Sequence, residues 1–387
     1  MKVDIAIVGG GLVGGSIARA LGQSGLSLAM VEPRSPRPLP GTGFDLRVYA
    51  LNPGSVRCLE GWGVWPRLAQ ERIAPVQEML VFGDDGSSKL EFSAYRNGVF
   101  ELAAIVEESN LQQALTGCLD GQTDFVLLSG VECLRADWRE SAAVLALSDG
   151  TELEARLVIA ADGAESRMRS QAGIEVEVRD YGQRGVVASF DVERPHRNVA
   201  FQWFRKDGVL ALLPLPQGRV SMVWSTADAH AQDLLAMGGE ELAGAVGDAA
   251  AHRLGAMRIN GAAAAFALRR LRATRLIAPR LALLGDAAHN VHPLAGQGLN
   301  LGIADAESLA EVIGGRGLES DCGATALLRR YERSRKEDIL AMECVTDGLH
   351  KLFSSSLPGL SRLRNAGLNL VDQLSPLKKL LVKRALG

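Results

Sequence analysis

The 387-residue chain lacks three patterns, each of which would point to a definite class of protein. No run approaches the ~18 consecutive apolar residues of a membrane-spanning helix, so we expect no such helix. No cysteine pair has the CxxC spacing or a nearby histidine partner. This favours free thiols in a reducing compartment over a disulfide framework or a zinc site. The five cysteines are Cys58, Cys118, Cys133, Cys322 and Cys344.

The chain also lacks a strong charge of either sign. Its formal net charge is −3, which gives no global reason to expect a nucleic-acid partner. Hydrophobic residues make up 47% and charged residues 22%, as in ordinary soluble proteins, and the length allows two domains. The apolar start Met1–Ala20 superficially resembles a signal peptide but fits a buried strand followed by a glycine-rich loop better. We therefore expect a cytoplasmic protein, in contact with a membrane only peripherally at its inner face.

What the sequence does contain begins with a strand, a glycine-rich loop and a helix. Val3–Val8 is a β-branched run typical of a buried strand, and Gly9–Gly14 then matches G-x-G-x-x-G. A second strand, Leu26–Val31, ends at Glu32, whose carboxylate can accept both hydroxyls of an adenosine ribose. This unit indicates NAD or the ADP part of FAD and does not separate them. The nucleotide contacts predicted here are Gly9, Gly11, Leu12, Val13, Gly14, Glu32, Pro33 and Arg34.

Three further segments favour FAD over NAD. Leu157–Gly163 is a buried strand ending in Asp-Gly, and Asp45–Asn52 places Arg47 before a helix-like segment, as a flavin contact or a surface ion pair. Leu283–Asp305 combines a strand, Gly-Asp and a loop entering a helix, whose positive end suits an anionic reduced flavin. A ligand spread over three strand ends is longer than adenosine, so we predict FAD. The predicted contacts are Arg47, Asp162, Gly163, Gly285, Asp286, Gly296, Gln297, Gly298, Leu299 and Asn300.

The segments that carry a family resemblance are Gly9–Gly14, Asp45–Asn52, Ala161–Arg169, Gly208–Trp224 and Gly285–Leu301. With them the chain resembles the single-component flavoprotein aromatic hydroxylases, the class of para-hydroxybenzoate hydroxylase, and within that class the ubiquinone-biosynthesis hydroxylase subfamily. The resemblance extends from about residue 3 to Gly387. One departure is Glu108, where the family more often has Asn or Arg. The resemblance implies two more cofactor contacts, Gln112 and Pro293.

The resemblance implies an α/β fold, with a three-layer Rossmann-like FAD-binding domain, an inserted β-sheet substrate domain and a helical C-terminus. The implied segments are 1–74, 101–172 and 277–349 for FAD, 75–100 and 173–276 for substrate, and 350–387 for basic amphipathic helices. It also implies an FAD-dependent monooxygenase that hydroxylates the aromatic ring of a polyprenyl phenol in ubiquinone biosynthesis through a flavin C4a-hydroperoxide. Molecular oxygen is then a co-substrate, and reduced nicotinamide or another electron donor reduces the flavin.

Two segments favour β-structure around the substrate. Pro75–Phe100 predicts a hairpin, and residues 199–225 predict a three-strand meander. An antiparallel sheet with one apolar face can cover a flavin ring and hold a lipophilic aromatic substrate. The alternative for each aromatic side chain is an ordinary place in the core. The predicted substrate contacts are Phe201, Trp203, Leu213, Pro214 and Trp224.

Two histidines, His289 and His292, flank the Gly-Asp loop and suit either a proton relay or a metal pair. No third ligand lies at metal-binding spacing, so we predict no metal and expect both to order the loop through hydrogen bonds to backbone. The sequence identifies no general base. The catalytic residues therefore stay unassigned, and the resemblance does not require a base beside the flavin.

The C-terminal segment from His350 to Gly387 contains seven cations among recurring apolar residues, with Asp372 as its one acid. This pattern is typical of a basic amphipathic helical pair, interrupted at Pro376, that rests on anionic lipid or docks a partner. The alternative is a terminal helix packed on the body with its cations in water. A polyprenylated substrate in the bilayer favours membrane contact, and a ubiquinone-biosynthesis protein complex is the other partner we consider.

Three other functions are compatible with the sequence. A hydroxylase of a small soluble phenol would have a pocket open to solvent and lined by Arg or Lys. A flavin-binding, non-catalytic scaffold of a biosynthetic complex would hold FAD without substrate-stimulated oxygen consumption. An FAD-dependent reductase of isoprenoid double bonds would insert no oxygen.

Overall fold

The structure, a computed structural model, describes residues 1–34, 43–85, 88–291, 297–317 and 320–354. These residues form the predicted α/β fold, with two eight-stranded sheets and one three-stranded sheet. Within the same residues, no helix combines the length and the apolar character needed to cross a membrane.

The elements are numbered along the chain. The strands are β1 (Lys2–Val8), β2 (Leu28–Glu32), β3 (Val48–Leu51), β4 (Ala74–Val76), β5 (Glu78–Phe82), β6 (Lys89–Ser93), β7 (Ala103–Glu107), β8 (Phe125–Ser129), β9 (Cys133–Trp138), β10 (Ala143–Leu147), β11 (Glu152–Ala160), β12 (Val176–Val192), β13 (Val199–Arg205), β14 (Gly208–Leu215), β15 (Arg219–Ala227), β16 (Met257–Ala273), β17 (Ile277–Ala278), β18 (Leu281–Leu283) and β19 (His289–Asn290). The helices are α1 (Leu12–Ala20), α2 (Pro53–Gly61), α3 (Ala94–Asn97), α4 (Glu108–Leu119), α5 (Arg167–Gln171), α6 (Asp228–Ala236), α7 (Gly239–Ala249), α8 (Gly298–Gly314) and α9 (Thr325–Ser354).

The first sheet has the strand order β17-β18-β11-β1-β2-β8, and β9 and β10 extend it beside β11. Its central strands pair in parallel, and Ile5 and Ile7 of β1 are fully buried. A parallel sheet is covered on both faces, which explains why β1 and β11 are apolar almost throughout. Residues of α1 and α8 pack into the cores on this sheet.

The second sheet has the order β19-β16-β12-β15-β14-β13-β5-β6. It contains the predicted meander as β13, β14 and β15, and the predicted hairpin as β5 and β6, so both predictions are confirmed. One face of the sheet packs on α6 and α7. The other face borders the same open space as the carboxyl ends of β1, β2 and β11.

The third sheet, β3-β7-β4, is small and corrects one expectation. The segment after Arg47 is strand β3, not a helix, because Val48–Leu51 pairs with β7. The helix begins only at Pro53, after Asn52 caps it by accepting a hydrogen bond from Ser55 N at 2.8 Å.

The chain ends, as far as the structure describes it, in the long helix α9, which reaches Ser354. Tyr331 of α9 is fully buried, and its hydroxyl donates to Leu283 O at 2.8 Å, which ties the helix to β18. The predicted helical pair around Pro376 and its cations beyond Ser354 lie outside the described residues.

Candidate active site

One large cavity lies where the three sheets meet. Its volume is about 1110 Å³, above the roughly 300–1,000 Å³ typical of small-molecule sites. Its walls come from the carboxyl ends of β1, β2 and β11, from one face of the second sheet, and from β3 and β7. A ligand inside it would therefore contact segments that are far apart in the sequence.

The glycine loop after β1 combines two kinds of glycine. At Gly9 (φ +103°) an added Cβ would lie 2.3 Å from Ala161 O, and at Gly14 it would lie 1.9 Å from Gly9 O. Those two glycines let β1, β11 and α1 approach closely. At Gly11 an added Cβ would lie within 4 Å of no atom in the described part of the chain, and Gly11 lines the cavity. The open side of the loop therefore suits close approach by a ligand phosphate.

The predicted ribose acceptor, Glu32, ends β2 at the cavity wall. Its carboxylate accepts hydrogen bonds from Gly10 N at 2.6 Å and from Arg34 N at 2.8 Å. Pro33 and Arg34, which were also predicted as nucleotide contacts, line the same part of the cavity. The glycine loop and the acidic residue thus form one connected unit.

Gln112 has a position that the sequence did not indicate. It does not line the large cavity, and its amide donates to Gly10 O at 2.9 Å from behind the glycine loop. A smaller cavity of about 230 Å³ lies on that side. Gln112 therefore supports the loop, and its contact with a cofactor stays a prediction.

The Asp162-Gly163 turn follows β11 and lines the cavity. The Oδ2 atom of Asp162 accepts from Met168 N at 3.2 Å. Its Oδ1 atom is buried and has no hydrogen-bond partner among the described residues. A buried carboxylate oxygen without a partner is costly, so this atom is suited to accept a hydrogen bond from a ligand hydroxyl.

Arg169 links two of the predicted turns and was not predicted. Its guanidinium is buried and donates to Ala164 O at 2.8 Å and to Ala287 O at 2.9 Å. It therefore joins the Asp-Gly turn after β11 to the Gly-Asp turn after β18. The one indication of this role in the sequence was that Arg169 ends the segment Ala161–Arg169, which carries part of the family resemblance.

The Gly285-Asp286 turn lies at the end of β18, beside the glycine loop. Gly285 has φ +56°, and an added Cβ would lie 3.0 Å from Val13 Cγ2. Asp286 lies deep in the protein. Its side chain is nevertheless exposed, because it borders the open space of the cavity. Burial raises the pKa of Asp286 above its ordinary value, and His289 and Arg47 oppose that shift.

Arg47 also lines the cavity, where its guanidinium lies 4.3 Å from the ring centroid of Phe266. This cation–π contact holds the arginine between β3 and β16. Of the two roles considered from the sequence, a position on the cavity wall fits the structure better than a surface ion pair.

A buried ionic network anchors the Gly-Asp turn from behind. Asp305 of α8 lies 2.6 Å from His289 Nε2, accepts from Arg335 Nε at 2.8 Å, and accepts from Gly285 N at 3.0 Å. Burial alone would lower the pKa of His289, but the Asp305 carboxylate outweighs it and raises that pKa. Burial works to raise the pKa of Asp305, and His289 and Arg335 bring it below its ordinary value.

This network corrects the expectation that His289 bonds to backbone, because its partner is a side chain. Asp305 lies within the apolar stripe of α8, and a carboxylate there was the signal that could have indicated a buried partner. His292 lies outside the described residues, which contain no cluster suited to a metal.

The start of α8 faces the cavity. Gln297, Gly298 and Leu299 line it, whereas Asn300 is buried away from it. The Asn300 amide donates to Ala50 O at 2.9 Å, and its oxygen accepts from Asn52 N and Ser55 Oγ, so it ties α8 to β3 and α2. The predicted contacts Pro293 and Gly296 lie outside the described residues.

The second sheet presents the opposite face from the one predicted. Phe201, Trp203 and Trp224 are buried in the core against α6 and α7, so the expectation that they contact substrate is corrected. Leu213 does line the cavity, and Pro214 does not. The side chains of alternate parity line it instead: Gln202, Phe204, Val209, Ala211, Leu213, Val223 and Ser225.

The chain matches known proteins over almost its whole length. The family model described as FAD binding domain matches residues 2–346. The chain is 36% identical over 387 residues to ubiquinone hydroxylase UbiL of Rhodospirillum rubrum, covering 99% of this chain and 89% of that protein. It is 34% identical over 386 residues to the 3-demethoxyubiquinol 3-hydroxylase of Escherichia coli, covering 99% and 98%. The solved structure of P. aeruginosa PqsL with 2-aminobenzoylacetate has a TM-score of 0.80 at 25% identity, covering 95% and 99%.

Proposed function

The chain belongs to the FAD binding domain family. From its similarity to ubiquinone hydroxylases, we propose that it hydroxylates the aromatic ring of a polyprenyl phenol in ubiquinone biosynthesis. It is an FAD-dependent monooxygenase. One oxygen atom of O₂ enters the ring as a hydroxyl, the other leaves as water, and a reduced donor supplies two electrons. The observation that carries the proposed substrate is the cavity itself, which joins the glycine loop to an apolar sheet face.

We assign the cofactor contacts to the strand ends and turns that line the cavity. The open side of Gly11 receives the pyrophosphate, and Glu32 accepts from the adenosine ribose. The unpartnered Oδ1 of Asp162 and the cavity-facing Asp286 accept from hydroxyl groups of the cofactor. Bound FAD supplies the redox and oxygen chemistry. The chain supplies orientation, exclusion of water and the positive end of α8.

The substrate ring lies against a sheet face with two neutral polar side chains. Gln202 and Ser225 are buried, and no ionisable side chain of β13, β14 or β15 lines the cavity. A neutral amide can hydrogen-bond a phenol oxygen without favouring a carboxylate. The arginines that line the cavity are on other elements: Arg34, Arg47, Arg167 and Arg269. A small phenolic acid bound against the face of β13–β15 would leave its charge unpaired, which argues against the soluble-phenol alternative.

Quinone profiling in cells that lack the protein tests this function. We expect a prenylated phenol with one ring hydroxyl fewer to accumulate, and ubiquinone to fall. The purified FAD-loaded protein should then convert that intermediate with oxygen consumption. An unchanged quinone profile, or a protein that holds FAD but shows no substrate-stimulated oxygen consumption, would contradict the proposal and favour a scaffold role.

We also propose that the protein contacts an anionic membrane surface peripherally. Tyr95 and Phe100, between β6 and β7, are almost fully exposed, and Arg96 lies between them in sequence. Exposed aromatic and basic side chains are typical of interfacial contact. The basic segment 350–387 is the second predicted contact, and assembly with other ubiquinone-biosynthesis proteins stays a prediction.

Liposome co-sedimentation tests membrane contact. We expect the Tyr95→Ser/Phe100→Ser double variant and a deletion of Leu377–Gly387 each to reduce sedimentation with anionic liposomes. Neutral liposomes serve as the comparison. Sedimentation that neither change affects would remove the proposal.

A further inference from the structure

Six apolar side chains at the outer end of the second sheet form a single patch on the cavity wall. Val81, Leu90 and Phe204 are buried against one another, and three partly buried neighbours complete the cluster. All six line the cavity. We call these residues the outer patch: Met79, Val81, Leu90, Phe92, Phe204 and Val209.

Strand register places the outer patch on one face of the sheet. Val81 pairs with Leu90 and with Gln202, and Phe204 pairs with Val209, so their side chains point the same way. The neighbouring residues of opposite parity, such as Phe82 and Trp203, pack on α6 and α7. The described helices therefore cover the other face, and the outer patch borders the cavity.

The cavity connects the outer patch to the Gly-Asp turn. Strand β19 begins at His289, three residues after Asp286, and forms one edge of the second sheet, while β6 forms the other. Neighbouring strands lie about 4.8 Å apart, so the seven steps between these edges span roughly 34 Å. Arg269 of β16, the strand beside β19, lines the cavity near the start of this path, and no ionisable side chain of β12, β15, β14, β13, β5 or β6 lines it further along. The far end of the cavity therefore suits a long uncharged group and not a second polar ring.

We propose that the outer patch is the binding subsite for the isoprenoid tail of the substrate. The tail runs from the ring site past Gln202 toward the β5–β6 hairpin, with its apolar carbons against the patch. This inference rests on the proposed function, because a tail requires a polyprenylated substrate. Burial of each added isoprenoid unit removes apolar surface from water, so binding strengthens with tail length until the patch is covered.

The dependence of turnover on tail length tests the subsite. Phenols carrying one, two, three or four isoprenoid units are compared with the purified FAD-loaded protein, and kcat/KM for the hydroxylated product is measured. We expect at least about a tenfold rise in kcat/KM for each unit until the patch is filled, because a single methylene in an apolar pocket already changes kcat/KM by about tenfold or more and each unit adds five carbons. A ring-free isoprenoid alcohol should compete with the long-tailed phenol.

Two variants narrow the subsite from different strands. Val209→Trp and Leu90→Trp each place a larger side chain on the outer patch, and we expect the ratio of long-tail to short-tail kcat/KM to fall at least tenfold. Val126→Trp is the matched control, because Val126 is 44% exposed on β8 of the first sheet. FAD content is measured for every variant, so that a folding failure in one leaves the other informative.

The outcomes separate this subsite from the proposed function. A folded, FAD-loaded Val209→Trp or Leu90→Trp protein that keeps the original ratio would overturn the subsite while the hydroxylase function stands. A flat dependence on tail length in the unaltered protein, with no competition by the alcohol, would also overturn it. If the unaltered protein hydroxylates none of these phenols, the proposed function itself fails.

Discussion

Gly11 and Gly14 belong to one glycine motif, Gly11 just before α1 and Gly14 within it, and a side chain at each would have different surroundings. At Gly14 an added methyl group would collide with Gly9 O, a backbone atom that cannot move aside. At Gly11 the space is open on the cavity side, and its backbone (φ −68°, ψ −171°) is one that alanine adopts readily. The fold would therefore need a glycine at position 14, and the ligand would need one at position 11.

We therefore predict that Gly14→Ala changes stability and that Gly11→Ala changes FAD binding. Gly14→Ala should lower the free energy of unfolding by about 1 to 3 kcal/mol, because overpacking forces the backbone to shift. Gly11→Ala should leave the stability of the FAD-free protein unchanged and weaken FAD binding at least about tenfold, since one misplaced methyl group at a close contact costs ~1.4 kcal/mol or more. Chemical denaturation and FAD titration measure the two effects. Equal FAD affinity in Gly11→Ala and the unaltered protein would contradict the assigned contact.

His289 makes stability depend on pH through its buried pair with Asp305. The folded-state pKa of His289 lies above its ordinary value of 6.5, so its stabilisation is present in full below that value and is lost as pH rises through the raised pKa. Asp305 has a lowered pKa, so its stabilisation is lost only as pH falls through that lowered pKa, well below neutral pH.

We predict that the melting temperature falls as pH rises above neutral, and that His289→Gln reduces this slope. His252→Gln is the matched control, because His252 and its partner Asp248 are both largely exposed. An exposed pair contributes little to stability. A slope that is the same in His289→Gln and in the unaltered protein would show that another group causes it.

Strand elements could be predicted from the sequence better than the faces they present. The β13–β15 meander and the β5–β6 hairpin follow from apolar runs bounded by turn residues such as Asp207-Gly208. Alternation does not decide which face meets the cavity, because Trp203 on one parity and Phe204 on the other are both large, apolar and buried. Helices α6 and α7 cover the face that carries Trp203, and this determines that the opposite face meets the cavity. That contact is tertiary and leaves no mark on the strands themselves.

In the candidate site, too, local motifs could be predicted from the sequence and tertiary contacts could not. The turns at Gly9–Gly14, Asp162-Gly163 and Gly285-Asp286 could be predicted because each joins a strand end to a recognisable motif, and all three line one cavity. Arg169 and the Asp305 network could not, because their partners lie far away in the sequence. Asn300 was expected at the ligand and instead joins α8 to β3 and α2.

Helix α8 begins at the cavity, so its first residue tests what the helix end does there. An added Cβ at Gly298 would meet no atom of the described residues within 4 Å, and Gly298 lines the cavity. We predict that Gly298→Val leaves the fold intact and blocks FAD binding or oxygen use, because its side chain would fill space beside the positive helix end. Gly244→Val in α7 is the control, since Gly244 is exposed and its added Cβ would also be free of contacts with the residues that the structure describes. Normal FAD content together with normal hydroxylation in Gly298→Val would refute the prediction.

At the scale of the whole molecule, the cavity is bordered by segments from all three sheets. Its nucleotide end is lined by residues from the start of the chain, such as Gly11, and by residues near position 298. The second sheet contributes the opposite wall. A ligand that contacts all of these walls would stabilise their relative positions in addition to its own binding. FAD would then act as a structural part of the protein.

We predict that removal of FAD lowers the melting temperature of the whole chain. A ligand that binds only the folded state stabilises it by about 2.7 kcal/mol when its free concentration is 100 times its Kd, which for a protein of this size amounts to several degrees. The melting temperature of the FAD-free protein should rise with the logarithm of added FAD. FMN lacks the adenosine half that Glu32 is assigned to hold, so at equal concentration it should have a smaller effect. Gly11→Ala should need more FAD for the same rise. A melting temperature that does not respond to FAD would mean that the cavity does not bind it.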